Sequence, residues 1–244
     1  MSTDIPVLSR LSDYPEYYAN HRSDNEAVVL GALRLNYRGF AQRIDQCAKA
    51  LLIAGVTHGD RVATLSNPHS DALVIWFACA RIGAIWVGLN TRSQYSEFAY
   101  IVSDAQPTLL FSIASFEGRD FIEDIDGLVA EFDCLSSSIL LDKSQLQSDE
   151  PQLLCFESFL QSGDGCDQAI FTQAIDAVSP DEPALVVYTS GSTGQPKGAL
   201  LSHHNIITSA LIQCEHWPAK PLRILNNMPI NHLGGAVQIA AYAL

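Results

Sequence analysis

The stretch Tyr188-Thr189-Ser190-Gly191-Ser192-Thr193-Gly194-Gln195-Pro196-Lys197-Gly198 is the most informative part of this 244-residue sequence. It combines three glycines, four Ser or Thr hydroxyls and one lysine. Glycines at 191 and 194 permit backbone conformations that other residues rarely adopt, so successive N–H groups can point at one anion. The hydroxyls add hydrogen-bond donors, and Lys197 adds a positive charge. These features predict a loop that binds a polyphosphate.

The sequence on either side argues against a flexible Gly/Ser linker, which composition alone would allow. An apolar run at 184–187 precedes the loop and predicts a buried strand, and a second apolar run follows at 199–201. Two common nucleotide-binding patterns do not fit. The lysine comes six residues after Gly191 and directly after Pro196, unlike G-x-x-x-x-G-K-[ST], and G-x-G-x-x-G is not matched either. A different class of nucleotide-binding loop is indicated.

The run YTSGSTGQPKGALLSHHN at 188–205 resembles the signature phosphate loop of adenylate-forming enzymes. That group contains acyl-CoA synthetases, adenylation domains of peptide synthetases and luciferases. Three further stretches agree with the family in the order expected: GVTHGDRVA at 55–63, the stretch 90–104 that begins NTR and ends YIVSD, and MPINHLGG at 228–235. The resemblance covers nearly the whole chain and is weakest from about 112 to 182. It is most like the N-terminal part of an acyl-CoA synthetase or fatty-acid–CoA ligase.

In that family the loop holds the β- and γ-phosphates of ATP. Carried over residue by residue, the resemblance implies that this chain binds the nucleotide through Thr189, Ser190, Gly191, Ser192, Thr193, Gly194 and Lys197. Lys197 is expected to be catalytic as well. Mg²⁺ is expected to bridge the phosphates. Its acidic ligand is usually supplied later in family sequences, so no metal ligand is assigned to this chain.

The resemblance also places His232 beside the acyl substrate, where it is expected to have a catalytic and substrate-binding role. Gly234 and Gly235 would let the backbone approach the acid closely. The residues themselves leave alternatives open, because a lone histidine is often a hydrogen-bonded core residue and paired glycines often form a turn. His203 and His204 are equally compatible with ordinary helix-start positions and with ligand contacts.

The activity implied by the resemblance is that of an AMP-forming acid–thiol ligase acting in fatty acid metabolism. Its expected ligands are ATP, a small carboxylic acid and coenzyme A as co-substrate. One alternative is an adenylation domain that loads a carrier-protein thiol. Another is a non-catalytic, truncated nucleotide-binding module, because the family's ribose-binding aspartate and C-terminal lysine have no counterpart before Leu244. By itself the chain is therefore expected to be an incomplete, inactive fragment.

Composition narrows the class of protein further. A hydrophobic content of 48% is ample for a buried core, and no apolar run reaches the ~20 residues of a membrane span. The N-terminus lacks the order of a secretory signal, so a cytoplasmic location is expected. Six cysteines without a C-x-x-C pair predict reduced, mostly buried thiols. The net charge of −13, with no basic cluster, indicates that nucleic acid is not a partner.

Acidic residues are concentrated in one part of the chain. The segment 112–182 holds 16 of the 27 acidic side chains and two of the 14 basic ones. We expect it to be a solvated, partly irregular connecting segment. It would join a first α/β subdomain at 1–111 to the start of a second at 183–244, which carries the phosphate loop.

Apolar periodicity predicts repeated strand–helix–strand units. Helical spacing is found across 40–52, and Asn67 and Pro68 suit the N-cap and first position of a helix that continues to Arg81. Strands are predicted at 61–66, 85–89, 108–111, 184–188, 199–201 and 222–228, and further helices at 93–104 and 203–214. This alternation predicts an α/β fold of layered, largely parallel sheets flanked by helices, as in the N-terminal portion of adenylate-forming enzymes.

Overall fold

A computed structural model describes residues 5–142, 154–189, 195–217 and 223–241. Its helices and strands run in chain order as α1 Asp13–His21, β1 Glu26–Leu30, β2 Leu33–Asn36, α2 Tyr37–Ile53, β3 Arg61–Leu65, α3 Ser70–Arg81, β4 Ile85–Leu89, α4 Tyr95–Ala105, β5 Leu109–Ser112, β6 Ser115–Phe116, β7 Arg119–Asp120, α5 Ile122–Glu131, β8 Ser137–Leu140, β9 Leu154–Cys155, α6 Phe156–Ser162, α7 Gln168–Asp176, β10 Pro183–Thr189, β11 Lys197–Ser202 and α8 His203–His216. A 3₁₀ turn at Gly163–Gly165 precedes α7, and a π-helix covers Gly234–Ala241.

A seven-stranded sheet forms the centre of the described part, with the order β11-β10-β4-β3-β5-β8-β9. Neighbouring strands are parallel except for β10 and β11, which form an antiparallel hairpin at one edge. Val62 of β3, for example, is the register partner of Trp86 in β4 and of Leu109 in β5. The predicted α/β fold with a largely parallel sheet is confirmed.

Helix α3 is the most deeply buried helix of this core. Every residue of it except Leu73 is buried, because α3 packs against both α2 and β4. The predicted N-cap at Asn67 is wrong: α3 begins at Ser70, and His69 caps it by accepting a hydrogen bond from the Asp71 N–H at 3.2 Å. No helix in the described ranges has the length and apolar content needed to cross a membrane.

The described residues of the acidic segment, 112–142 and 154–182, form several strands and helices and are more regular than the partly irregular connection that the sequence predicts. Strands β8 and β9 extend the central sheet beyond β5. In α5, Ile125 and Leu128 are buried while the acidic residues Glu123, Asp126 and Glu131 are exposed, and such spacing is enough to form an apolar face. Strands from all three predicted segments share one sheet. The boundaries at 111/112 and 182/183 stay predictions.

Two smaller predictions are also corrected. Residues 223–228 form no strand, because no neighbouring strand pairs with them in the described part, and Leu225 is 83% exposed. Apolar composition without a pairing partner does not make a strand. The six cysteines form no disulfide, as expected, but only Cys47 and Cys79 are buried and the other four are partly exposed.

Candidate active site

The hairpin of β10 and β11 carries the predicted phosphate loop. Thr189, the last residue of β10, is the register partner of Lys197, the first residue of β11. The Thr189 hydroxyl lies 3.5 Å from the Lys197 carbonyl oxygen, which is long for a hydrogen bond. Two predicted phosphate ligands therefore face each other across the end of a hairpin. The other five, Ser190, Gly191, Ser192, Thr193 and Gly194, lie outside the described residues.

The position of the hairpin in the sheet suits ligand binding. Strand β10 is parallel to β4, so Thr189 lies at the carboxyl edge of the parallel strands, where ligands bind in open α/β sheets. The Lys197 side chain is exposed. Within the described ranges no carboxylate forms an ion pair with it. Its positive charge is therefore accessible to an anion.

The predicted acid-binding motif forms a turn at 228–235 whose last two residues begin the π-helix. The His232 N–H donates to the Pro229 carbonyl at 3.1 Å, and the His232 Nδ1 accepts from the Gly234 N–H at 3.2 Å. His232 is exposed, so the alternative of a core histidine is wrong. A Cβ on Gly235 would lie 2.3 Å from the Pro229 carbonyl oxygen, which only glycine avoids. The close approach that Gly235 allows is therefore to the protein's own backbone.

The turn packs on the same sheet as the hairpin. A Cβ on Gly88 of β4 would lie 2.5 Å from the Asn231 Cα, so the turn is in direct contact with this strand. Strand β4 pairs in the sheet with β10, and Val87 of β4 is the register partner of Val186 of β10. The side-chain oxygen of Asn231 is buried without a hydrogen-bond partner among the described residues. One predicted motif thus follows β10, and the other contacts the adjacent strand β4.

Two hydrogen bonds from α4 to the hairpin were not predicted from the sequence. The Tyr188 hydroxyl donates to Asp104 at 2.6 Å, and the Tyr100 hydroxyl donates to the Pro196 carbonyl at 2.9 Å. Burial, followed by the hydrogen bond to Asp104, raises the pKa of Tyr188 well above its ordinary value. The spacing of Tyr100 and Asp104, four residues apart in a predicted helix, was the available signal.

A cavity of about 410 Å³ opens between α8 and the π-helix. Its lining is mixed polar and apolar and consists of Asn205, Thr208, Ser209, Ile212, Gln213, Trp217 and Gln238. Neither Lys197 nor His232 lines it. The structure therefore does not join this cavity to the two predicted motifs.

The two histidines at the start of α8 have different environments. His203 is completely buried, and its Nδ1 accepts a hydrogen bond of 3.1 Å from the Leu11 N–H. Burial lowers the pKa of His203 to about 4, although the carboxylate of Asp13 acts in the opposite direction. The neutral imidazole therefore joins α8 to the N-terminal segment. His204 is exposed.

Among the described residues, no three His, Cys, Asp or Glu side chains converge as a metal site. No residue of this part of the chain is assigned as a ligand for Mg²⁺.

Comparison with known proteins shows the family. The sequence profile of the AMP-binding enzyme family matches residues 16–244, and the chain belongs to this family. It is 31% identical over 229 residues to the indoleacetate–CoA ligase of Aromatoleum aromaticum, covering 92% of this chain and 41% of that ligase. It is 30% identical over 187 residues to the hybrid PKS-NRPS synthetase iliA of Neonectria sp., covering 76% of this chain and 4% of that protein.

The solved structures agree on the fold. The inhibitor-bound N-terminal domain of FACL13 from Mycobacterium tuberculosis superimposes with a TM-score of 0.73 at 20% sequence identity, covering 97% of this chain and 55% of that one. A sequence identity of 20% supports a shared fold and nothing further. The chain thus has the α/β fold of the N-terminal part of an adenylate-forming enzyme. It spans about two-fifths of the length of the indoleacetate–CoA ligase.

Proposed function

We propose that the protein carrying this chain activates a carboxylic acid as an acyl-adenylate and then transfers the acyl group to the thiol of coenzyme A. ATP, the acid and coenzyme A are its small-molecule substrates. This chain would contribute the residues that bind the pyrophosphate leaving group, and the residues on one side of the acid-binding site, which we call the acid wall. Family membership and the 31% identity to an acid–CoA ligase support this proposal.

In the first step a carboxylate oxygen attacks the α-phosphorus of ATP. The bond between that phosphorus and the bridging oxygen of the β-phosphate breaks, and its electron pair leaves with pyrophosphate. Charge accumulates on the leaving group, so fixed donors and a nearby positive charge lower the barrier. The proposed donors are the loop residues 189–194, and the proposed charge is the ammonium of Lys197.

The acid is proposed to bind beside the turn at 228–235. The exposed His232 ring is held by the hydrogen bond between its Nδ1 and the Gly234 N–H, so its Nε2 is the atom free to carry a proton. It would donate a hydrogen bond to the acid. Gly234 and Gly235 would shape the turn beside the acid, because the space that a Cβ would need is taken by the Met228 side chain and the Pro229 carbonyl oxygen. In the second step the sulfur of coenzyme A attacks the acyl carbon, AMP leaves, and the thiol proton is released.

One observation carries the proposal more than any other. Thr189 and Lys197 are register partners at the carboxyl edge of the parallel strands, and the turn that contains His232 contacts the adjacent strand at Gly88. The residues that bind pyrophosphate and those that bind the acid would therefore lie at neighbouring strands. An attack of the carboxylate on the α-phosphorus requires such proximity.

The first test is exchange of labelled pyrophosphate into ATP by the full-length protein that carries this chain. We expect exchange only when a suitable carboxylic acid is present. Lys197→Ala should reduce its kcat/KM by about 100-fold or more, because a charge that stabilises the leaving group is removed. Exchange rates measured over a panel of carboxylic acids would also identify the acid.

Lys49→Ala is the matched control, because it removes the same charge from α2, where the ammonium contacts Gln168 and the Phe171 ring. We expect it to leave exchange within about twofold of the unaltered protein, as is usual for surface substitutions. Absence of acid-dependent exchange in the unaltered protein would refute the proposed function. Equal effects of the two lysine substitutions would refute the role of Lys197.

A second candidate is loading of a carrier-protein thiol instead of coenzyme A. The 30% identity to a hybrid PKS-NRPS synthetase supports this second candidate. Both candidates share the adenylation step, so exchange does not separate them. The two candidates are separated by incubating the full-length protein, ATP and the acid with either coenzyme A or a phosphopantetheinylated carrier protein. Only the correct thiol acceptor should yield a thioester at a rate matching adenylation.

A further inference from the structure

Helix α4 contacts both ends of the segment that joins β10 to β11. At the end of β10, the Tyr188 hydroxyl donates a hydrogen bond of 2.6 Å to Oδ2 of Asp104. Directly before β11, the Pro196 carbonyl accepts one of 2.9 Å from the Tyr100 hydroxyl. Tyr100 and Asp104 are four residues apart, so their side chains lie on one face of the helix. That face therefore holds the residues that immediately precede the two described phosphate ligands.

Asp104 occupies an unfavourable position for helix stability. It lies in the last turn of α4, one residue before the helix ends at Ala105, where the helix dipole disfavours a carboxylate. Stability of α4 therefore does not account for an acid here, whereas the hydrogen bond to Tyr188 does. Burial and the carboxylate keep the pKa of Tyr188 raised, so its hydroxyl is protonated and donating at neutral pH.

The end of α4 is itself fixed to the sheet. Arg61, the first residue of β3, donates hydrogen bonds of 2.6 Å to the Ala105 carbonyl and 2.9 Å to the Gln106 carbonyl. These bonds satisfy carbonyls that a helix C-terminus leaves without partners. A continuous set of hydrogen bonds therefore runs from the central sheet through α4 to the hairpin.

We propose that Tyr100 and Asp104 are positioning residues that hold Thr189 and Lys197 in the orientation needed to bind pyrophosphate. This inference rests on the proposed function, because it concerns the same leaving group. Neither side chain needs to contact the nucleotide, since Tyr100 holds the Pro196 carbonyl and Asp104 holds the Tyr188 side chain. Displacements of about 1 Å are enough to impair catalysis. Loss of either hydrogen bond, Tyr188–Asp104 or Tyr100–Pro196, should therefore weaken pyrophosphate binding.

The test uses three substitutions, Asp104→Ala, Tyr188→Phe and Tyr100→Phe, in the full-length protein. Asp104→Ala and Tyr188→Phe should each raise the KM for pyrophosphate in the exchange reaction about tenfold, the value of one charge-assisted hydrogen bond. Tyr100→Phe should raise it less, because its hydrogen bond to the Pro196 carbonyl is neutral. All three should leave the KM for the acid unchanged. A general loss of folded protein would instead lower the maximal rate and change neither KM. The double variant Tyr188→Phe/Asp104→Ala should be no worse than the stronger single variant, because both remove one bond.

The same helix supplies a matched control. The Tyr95 hydroxyl donates a hydrogen bond of 2.6 Å to Glu131 of α5, so Tyr95→Phe removes the same kind of bond from the same element without touching the hairpin. We expect no change in the KM for pyrophosphate in this variant. Asp104→Asn keeps an acceptor for the Tyr188 hydroxyl and should restore most of the loss seen with Asp104→Ala.

Amide hydrogen exchange of peptides covering β10 and β11 gives a second readout that does not depend on activity. Exchange should be faster in Asp104→Ala than in Tyr95→Phe, because the hairpin end loses its anchor. Active variants with an unchanged KM for pyrophosphate would overturn this inference and leave the proposed function intact. Hairpin amides that exchange equally in the two variants would overturn it as well. An unaltered protein without pyrophosphate exchange would overturn both.

Discussion

His203 illustrates, at the scale of one residue, how the chain joins its N-terminal segment to α8, the helix that follows the hairpin of β10 and β11. The imidazole is completely buried and accepts from the Leu11 N–H, so its Nδ1 must be unprotonated. Asp13, Glu182 and Arg10 are the charged groups that influence it. Burial outweighs the two carboxylates and depresses the pKa of His203 to about 4.

This depressed pKa predicts a specific loss of stability in acid. An unfolded histidine has a pKa of about 6.5, so below that pH the unfolded chain binds a proton that the folded chain excludes. The free energy of unfolding should therefore fall as pH decreases from about 6.5 to about 4, by up to ~3 kcal/mol from this residue. Urea unfolding at a series of pH values measures it.

His203→Asn separates this contribution from those of the carboxylates. The asparagine side-chain oxygen can still accept from the Leu11 N–H, but it does not titrate, so the fall in stability across this window should be smaller. His204→Asn, at the exposed neighbouring position, should retain the pH dependence of the unaltered protein. Identical profiles for His203→Asn and the unaltered protein would show that His203 titrates normally.

At the scale of elements, the contact between β4 and the turn at 228–235 decides whether the acid wall is correctly located. Gly88→Ala would place a Cβ 2.5 Å from the Asn231 Cα, and a backbone atom cannot move aside cheaply. We expect the turn to shift, with a loss of stability of about 1–3 kcal/mol and a raised KM for the acid in the exchange reaction. Unfolding in urea and exchange kinetics measure the two effects.

Gly165→Ala is the control for this substitution, because a Cβ there meets nothing within 4 Å and the backbone is not in the left-handed region. It should alter neither stability nor the KM for the acid by a measurable amount. If Gly88→Ala lowered stability while the KM for the acid stayed constant, the turn would not belong to the acid site.

Elements buried on both faces could be predicted from the sequence. Strands β3, β4 and β10 and helix α3 are continuous apolar runs or nearly so, and such runs predict a parallel α/β core with little context. The acidic segment 112–182 could not be predicted by composition, since the sparse apolar positions of α5 form its buried face. The strand predicted at 222–228 was wrong for its described residues, 223–228, because apolar residues there have no pairing strand in the described part of the chain.

The candidate site divides in the same way. Loop chemistry predicted Thr189 and Lys197, the family resemblance implied His232, and the structure describes the surroundings of all three. The bonds that fix the hairpin could not be predicted, because Tyr188 and Asp104 are 84 residues apart and meet only after β10 pairs with β4. Contacts of this kind depend on strand order, which local sequence does not encode.

At the scale of the whole molecule, strand order brings distant parts of the chain together on neighbouring strands of one sheet. Strand β4 lies next to β10, so the hairpin and the strand that the turn at 228–235 contacts are adjacent. Each site feature comes from a different stretch of sequence. This arrangement is the basis for the central claim, which is attack of a carboxylate on the α-phosphorus of ATP.

Transfer of oxygen-18 from a labelled carboxylic acid tests that claim most directly. With the acid identified by pyrophosphate exchange, the full-length protein is incubated with ATP, coenzyme A and the acid labelled in both carboxylate oxygens, and the products are analysed by mass spectrometry. Attack on the α-phosphorus predicts one oxygen-18 atom in the AMP released and none in pyrophosphate. Label in inorganic phosphate, with ADP as the nucleotide product, would contradict the account.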